Sequence, residues 1–558
     1  MSTTNPGLGE GPAGTVNPPG RDALPTVDTT RTVGRVDDAI YGHFLESSFF
    51  GNIEDGVFDE GSPLAITDAG PLTGMRSDVL ELVRDLQPGP IRWPGGNFTS
   101  AYHWEDGIGP RDERPSRMEP VWNVIETNRF GTDEFLAWCE AVGAEPYLVN
   151  SCRDIDEAIR WMEYTNSRAD TALTRRRAAH GRQQPWGVHY WGIGNEVYGR
   201  WQMGHRSAEQ YAADAREHAR FMRSIDPEVS LIGVGDGGEH WTRELLAQTP
   251  SMLDYVSLHR YGLTPAWAED DYDQIVAQSL YMEREITRFA HLVADAAHAS
   301  GWDRPPAIAL DEWTMRHVEP RSWPDPQADP DGGTAPRELP PVPEWPDHLQ
   351  VNRWSPRTIA DALFSAGVLH AAHRSVAHDV PVAMANPVNL VNANGLVVAR
   401  PGGAFRSALY HVWHLYARHT GRIVLASEVD GPARSMPVRL GISAGPEGEP
   451  LHEPMAVPLL DVSVTRAEDG SIRAAVINRS RADTVRLRPV FDRNQQSTPT
   501  RARVRTVGAG VEDLGAGNSL SRPDHIDTRE LGEVDAVDGT WAIPPHSVTV
   551  LTFKGAAR

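Results

Sequence analysis

Eight short apolar runs separated by helical patterns constrain this chain more than any other feature. They are AIYGHFL (39–45), PIRWPGGN (90–97), EPYLVN (145–150), VHYWGIGNE (188–196), VSLIGVG (229–235), YVSLHRYG (255–262), PAIALDEW (306–313) and VPVAMANPVN (380–389). Runs this short and apolar read as strands buried on both faces. Between them lie amphipathic helices. In MRSDVLELVRDL (75–86), Val79, Leu80, Val83 and Leu86 share one face. Ser207 followed by Gln210 is a capping box that opens another helix. Eight such units predict an α/β fold, a (β/α)₈ barrel, with an open doubly wound sheet as the alternative. Most runs are apolar at the start and polar at the end: Asn97, Asn150, Asn195 and Glu196, His259 to Tyr261, Asp311 and Glu312, Asn386. A closed barrel gathers all those ends at one face, where barrel enzymes keep their active sites. No G-x-G-x-x-G follows the first run, which weakens a dinucleotide site.

After about Gly421 the period changes from helical to alternating. LLDVSVTRAEDGSIRAAVIN (459–478) reads as a hairpin turning at Asp469 and Gly470. DTVRLRPVF (483–491), ARVRTV (502–507) and HSVTVLTF (546–553) also alternate. A C-terminal all-β sandwich over 421–558 follows from this pattern, behind a barrel spanning 39–420. The chain holds 50 Gly and 44 Pro, and the excess is uneven. Some lies in residues 1–22, expected to be a disordered tail. Nine prolines fall in 320–346, a loop insertion just beyond the seventh run and thus on the active-site face.

Composition excludes several classes. The net charge is −23, a poor match for nucleic acid or an anionic membrane, which need a basic footprint. Two cysteines, Cys139 and Cys152, supply neither a disulfide framework nor a four-ligand zinc site. The N-terminus has no basic start with an apolar core and no run approaches a membrane span, so a cytoplasmic location is expected. Trp (17) outnumbers Phe (13) and Tyr (13), which suits stacking on sugar rings. The loop at 233–238 lacks the Lys-Ser/Thr of a phosphate loop, and His370 with His373 has no carboxylate at metal spacing.

Glu196 and Glu312 end the fourth and seventh runs, which face each other across a barrel mouth. Two opposed carboxylates are what glycoside hydrolysis requires: one protonated to help the leaving group depart, one ionised to attack or to activate water. A lectin with an inactive barrel has no need of such a pair.

Around these residues the chain resembles glycoside hydrolase family 51, the α-L-arabinofuranosidases. The matching segments are IYGHFLE (40–46), IRWPGGNF (91–98), YHWEDGIGPRDERP (102–115), ETNRFGTDEFLAWCE (126–140), WGIGNEVYGRWQMGH (191–205), SLHRYG (257–262) and LDEW (310–313), with PHSVTVLTFKG (545–555) at the tail. The resemblance implies that residues 23–38 add a strand to the sandwich. It implies a retaining, exo-acting enzyme that needs no metal or cofactor and forms a homo-oligomer. Its substrate would be an arabinose-containing oligosaccharide or polysaccharide. By the same resemblance Glu196 is the acid/base, with a raised pKa, and Glu312 the nucleophile, with a low one. Arg92 is expected to hold Glu312 ionised. Glu46, Asn97 and Asn195 are expected on sugar hydroxyls, Asn195 on the 2-OH. His259 and Tyr261 would lie near the nucleophile, and Trp122 and Trp313 would wall the pocket. Asn386 stands where the family often has Gln, a shorter reach to a hydroxyl. Ser47 to Phe50 lacks the His-containing version of that segment. A β-xylosidase or an endo-β-1,4-glucanase on the same scaffold is the alternative.

Overall fold

The computed structural model describes residues 23–235, 238–264, 272–317, 353, 355–439, 452–492 and 499–554. The N-terminal tail, the proline-rich segment 320–346 and part of the 233–238 loop lie outside the described residues. Eight strands pair in parallel, each with the next in chain order: β1 (His43–Phe44), β2 (Ile91–Trp93), β3 (Pro146–Asn150), β4 (Tyr190–Ile193), β5 (Ser230–Gly233), β6 (Tyr255–Thr264), β7 (Ala307–His317) and β8 (Val382–Pro387). Strand order that follows chain order has no switch point, so the open doubly wound alternative falls. The ends meet where Leu390 N donates to Phe44 O at 2.9 Å.

Asn386 completes that seam. Its Nδ2 donates to His43 O (2.6 Å) and Pro90 O (3.1 Å), and the residue is fully buried. The amide nitrogen is therefore not free for the expected hydroxyl contact: it is spent on the backbone of β1 and on the residue that precedes β2, while Oδ1 has no hydrogen-bond partner among the described residues. A Cβ at Gly42 would lie 2.7 Å from that amide, so only glycine leaves it room.

Two strands outrun their sequence runs. β6 and β7 continue to Thr264 and His317, pairing residue for residue past Tyr261 and Thr314, with Leu263 and Met315 buried. The first run is shorter than expected. Asp37 caps a 3₁₀ turn at Asp38–Tyr41 by accepting from Ala39 N, and strand geometry begins only at His43.

Helices surround the barrel, among them α1 (Ser77–Leu86), α2 (Ala208–Ile225), α3 (Tyr272–Ala299), α4 (Ile359–Ser375) and α5 (Ala408–His419). α1 buries Val79, Leu80, Val83 and Leu86. Ser207 Oγ accepts from Gln210 N while Gln210 Oε1 accepts from Ser207 N, the reciprocal cap at the start of α2.

The C-terminal β domain centres on an eight-stranded sheet. The strand Leu24–Arg35 belongs to it, antiparallel to Ile423–Asp430 and parallel to Val490–Phe491. Leu460–Arg466 and Ile472–Asn478 form the hairpin, with Gly470 at φ 78° in its turn. The run 483–491 splits into Val485–Leu487 and Val490–Phe491, in different sheets. Pro489 between them has no N–H to continue a ladder. Leu487, Trp541 and Ile543 share a core with Val462, Val476 and Phe553 of the main sheet.

The domains are joined through buried polar groups. His370 and His373, both on α4, are fully buried. His370 Nδ1 lies 3.0 Å from Asp461 Oδ1, and His373 Nδ1 lies 2.9 Å from Ser463 Oγ. Asp461 also accepts from Arg374 (2.8 Å) and Arg479 (2.7 Å).

Candidate active site

A register shift in β7 assembles the centre of the site. Ala309 pairs with Ser257, but the next pair is Glu312 with His259. One extra residue on β7 is a bulge, which re-aims side chains. Asp311 and Glu312, neighbours that regular pleating would send to opposite faces, both reach Arg92 on β2. Arg92 Nη1 donates to Glu312 Oε1 at 2.7 Å, and its Nε lies 3.4 Å from Asp311 Oδ2. Arg92 Nη2 donates to Asn195 Oδ1 at 2.6 Å. Tyr261 Oη donates to Glu312 Oε2 at 2.5 Å.

Glu196 lies three residues past β4 at φ 42°, a left-handed conformation that is uncommon for a side chain of this kind and recurs at functional sites. Its Oε1 faces His259 Nδ1 at 2.9 Å, and its Oε2 accepts from Trp201 Nε1 at 3.2 Å. Side-chain ligand atoms of Glu196, His259 and Glu312 all lie within 4.8 Å of one another. His259 Nδ1 is 3.5 Å from Glu312 Oε2, and its Nε2 is 3.3 Å from Asp311 Oδ1.

Charge follows from these distances. Burial opposes a positive His259, but Glu312, Asp311 and Glu196 outweigh it and hold the imidazolium up to about 10. Burial likewise opposes the Arg92 charge, and Asp311 and Glu312 push its pKa up instead. Burial alone would raise Glu196; hydrogen bonding to the charged His259, with Arg316 adding, holds it below the ordinary carboxylate value. The direction is opposite to the expected raised Glu196, and the cause is the His259 ring beside it.

Glu46 behaves oppositely. Burial, with the charge of Glu312, pushes it up to about 8. Its Oε1 accepts from Phe98 N (2.9 Å) and Trp122 Nε1 (3.0 Å). A Cβ at Gly96 would lie 3.0 Å from Glu46 Oε2 and 3.3 Å from Glu312 Oε1, so Gly96 sits between the two carboxyls.

Glu46, Arg92, Trp122, Asn195, Glu196, His259, Tyr261 and Glu312 thus form one cluster. Asn97 joins through its Oδ1, which accepts from Gln202 Nε2 and lies 3.5 Å from Asn195 Nδ2. Trp313 does not join. It packs on Phe364 of α4 and Trp413 of α5, at ring distances of 6.2 and 6.1 Å. Strand alternation explains the correction: with Glu312 at the mouth, its neighbour faces the outer helices. Sequence reasoning missed Asp311, Trp201 and Gln202. Asp311 adjoins Glu312, and the other two follow Glu196 in one quoted segment, so adjacency was the available signal.

Comparison with known proteins agrees with this geometry. Residues 82–279 match the model of the alpha-L-arabinofuranosidase 1 domain, and 311–547 that of the alpha-L-arabinofuranosidase C-terminal domain. The chain is 32% identical to an intracellular exo-alpha-(1->5)-L-arabinofuranosidase of Streptomyces lividans, over 94% of this chain and 74% of that protein. It is 30% identical to a probable alpha-L-arabinofuranosidase C of Aspergillus fumigatus, over 95% and 97%. The arabinose complex of a Thermotoga maritima alpha-L-arabinofuranosidase superposes with a TM-score of 0.79 at 30% identity, covering 95% of this chain and all of that one. The chain belongs to the α-L-arabinofuranosidases of glycoside hydrolase family 51.

Proposed function

We propose that Glu312 is the nucleophile and Glu196 the acid/base of this exo-acting, retaining α-L-arabinofuranosidase, which releases terminal arabinofuranosyl residues from oligosaccharides or polysaccharides. The observation that carries the assignment is the close approach of their carboxyls, within 4.8 Å at the barrel mouth. A retaining pair stands about 5–5.5 Å apart, whereas inversion needs roughly 6.5–9.5 Å to admit a water.

Glu312, held by Arg92 and Tyr261, attacks the anomeric carbon as the glycosidic bond breaks. The departing oxygen takes a proton from Glu196. Water then attacks the same carbon, gives its proton to Glu196, and frees Glu312. Asn195, fixed through its oxygen by Arg92, presents its amide to the 2-OH. Glu46, neutral below pH 8, presents a carboxyl to a ring hydroxyl beside the Trp122 wall. Asn97 bonds a hydroxyl next to Asn195. The test is a panel of aryl α-L-arabinofuranoside, β-D-xyloside and β-D-glucoside, with NMR of the first-formed anomer. Retained α-arabinofuranose is expected; an inverted product would overturn the double displacement.

We further propose a cytoplasmic homo-oligomer. The intracellular relative supports the location. No helix among the described residues is long and apolar enough to cross a membrane. Fractionation and light scattering test the two claims.

A further inference from the structure

His259 was expected near the nucleophile, and carboxylates face it on both edges. Nδ1 meets Glu196 at 2.9 Å and Glu312 at 3.5 Å; Nε2 meets Asp311 at 3.3 Å. The Nε2 contact has ion-pair distance but poor hydrogen-bond alignment, and neither His259 Nε2 nor Asp311 Oδ1 has another hydrogen-bond partner among the described residues. A neutral ring would turn a lone pair toward one of these carboxylates. Only the imidazolium suits both edges.

The charge count agrees. Three carboxylates from β4 and β7 surround the ring, and Arg92 from β2 pairs with two of them. Tyr261, on the same strand as His259, donates to Glu312, and Arg316 of β7 lies over the Tyr261 ring at 3.3 Å. One guanidinium offsets only one of these three negative charges, and His259 is in contact with all three carboxylates.

We propose that His259 is a positioning residue that carries the catalytic proton in the resting enzyme and delivers it through Glu196. This rests on Glu196 and Glu312 having the roles given above. In the first step a Glu312 oxygen bonds to the anomeric carbon and the bond to the leaving oxygen breaks. That oxygen takes a proton from Glu196, which receives the one held by His259. The step ends with neutral His259, ionised Glu196 and esterified Glu312. Glu312 has then lost the charge that favoured the imidazolium, so the neutral ring suits its surroundings. In the second step water bonds to the anomeric carbon and the ester bond breaks. The proton of the water passes to Glu196 and back to His259, and the resting charges return. Protons and charge balance over the cycle.

The test uses the full-length enzyme with ¹⁵N-labelled histidine, the His259 signal being assigned by its loss in His259→Asn. In the free enzyme the ring should stay charged through pH 8. After trapping with an activated 2-deoxy-2-fluoro-α-L-arabinofuranoside it should be neutral at pH 7. A ring neutral at pH 7 in the free enzyme, or charged in both states, overturns the proposal. The second readout is leaving-group dependence in His259→Asn and His259→Gln. The ratio of kcat/KM for poor against activated leaving groups should fall by about tenfold or more relative to wild type. Equal losses for both would mean a merely structural role. Formation of the trapped ester, read by mass, is independent of where the proton rests. Its failure would fault the nucleophilic reading, while a neutral ring in an enzyme that does trap faults the proton assignment alone.

Discussion

Two of the buried histidines that meet buried aspartates, His259 and His370, are shifted in opposite directions. At the barrel mouth, His259 faces Asp311, Glu196 and Glu312, and is held charged up to about 10. Between the domains, His370 faces Asp461 at 3.0 Å, and its pKa is lowered. Burial disfavours charge at both rings. The difference is in the neighbours: Asp461 already receives Arg374 and Arg479, whereas at the mouth three carboxylates contact the ring and Arg92 pairs with two of them. His373 makes the same point, since Ser463 and Tyr41 offer it no charge and burial takes it down to about 3. A histidine–aspartate contact therefore has no fixed proton state; the surrounding charges decide it. One cluster is balanced and sealed as a joint, and the other keeps a movable proton where a substrate arrives.

The largest effect should come from breaking the mouth cluster at its nucleophile. Glu312→Ala should lower kcat by roughly four to six orders of magnitude with an unchanged circular-dichroism spectrum. Near-normal turnover would remove Glu312 from its role. Glu196→Ala should cost roughly 10²–10⁴-fold on substrates with poor leaving groups and far less in the first step with activated aryl glycosides. Parallel losses would count against proton donation.

Breaking the joint should act on stability instead. Asp461→Asn leaves the buried Arg479 guanidinium without its carboxylate, while Arg374 keeps Glu283, and should cost about 3–5 kcal/mol of stability, read by denaturant unfolding, with kcat unchanged. Arg374, with His370 and Arg479, holds the Asp461 carboxyl well below its usual 3.8. Its contribution is thus complete above that value and is lost as the pH falls below it. A stability independent of pH between 5 and 2 would contradict this.

Glu46 sharpens the comparison from within the mouth. It is neutral below about pH 8 and gains, above it, a charge beside Glu312. kcat/KM should therefore fall above pH 8, and Glu46→Gln should lose that limb; a limb that persists has another origin. Trp122→Phe removes the N–H that Glu46 accepts. It should raise KM several-fold, matching about 1 kcal/mol for one hydrogen bond. Unchanged KM would place the indole outside the sugar site.

Much of the site was legible because barrel topology converts strand-end position into convergence. Glu196, His259, Tyr261 and Glu312 could be picked from different runs without knowing any distance. Trp313 and Asn386 were misread for a local reason. Each is polar-capable or aromatic at the correct strand end, but pleating turns one to the outer helices and the seam claims the other. Asp311 was hidden by the same pleating rule, which places it opposite Glu312 until a bulge brings both to Arg92. A bulge is a register event between two strands, and neither strand encodes it alone.

The sequence by itself determined the barrel, the β domain, the hairpin at Gly470 and the two opposed carboxylates. Periodicity and strand-end polarity are local properties that survive without partners. Tertiary structure alone decided which neighbours share a pocket, and with them the protons: a charged His259, an ionised Glu196, a neutral Glu46 and a neutral His370. Ionisation depends on burial and on charges a few ångströms away, and residues such as Arg92 and Glu312 become neighbours only when 220 positions of chain fold between them.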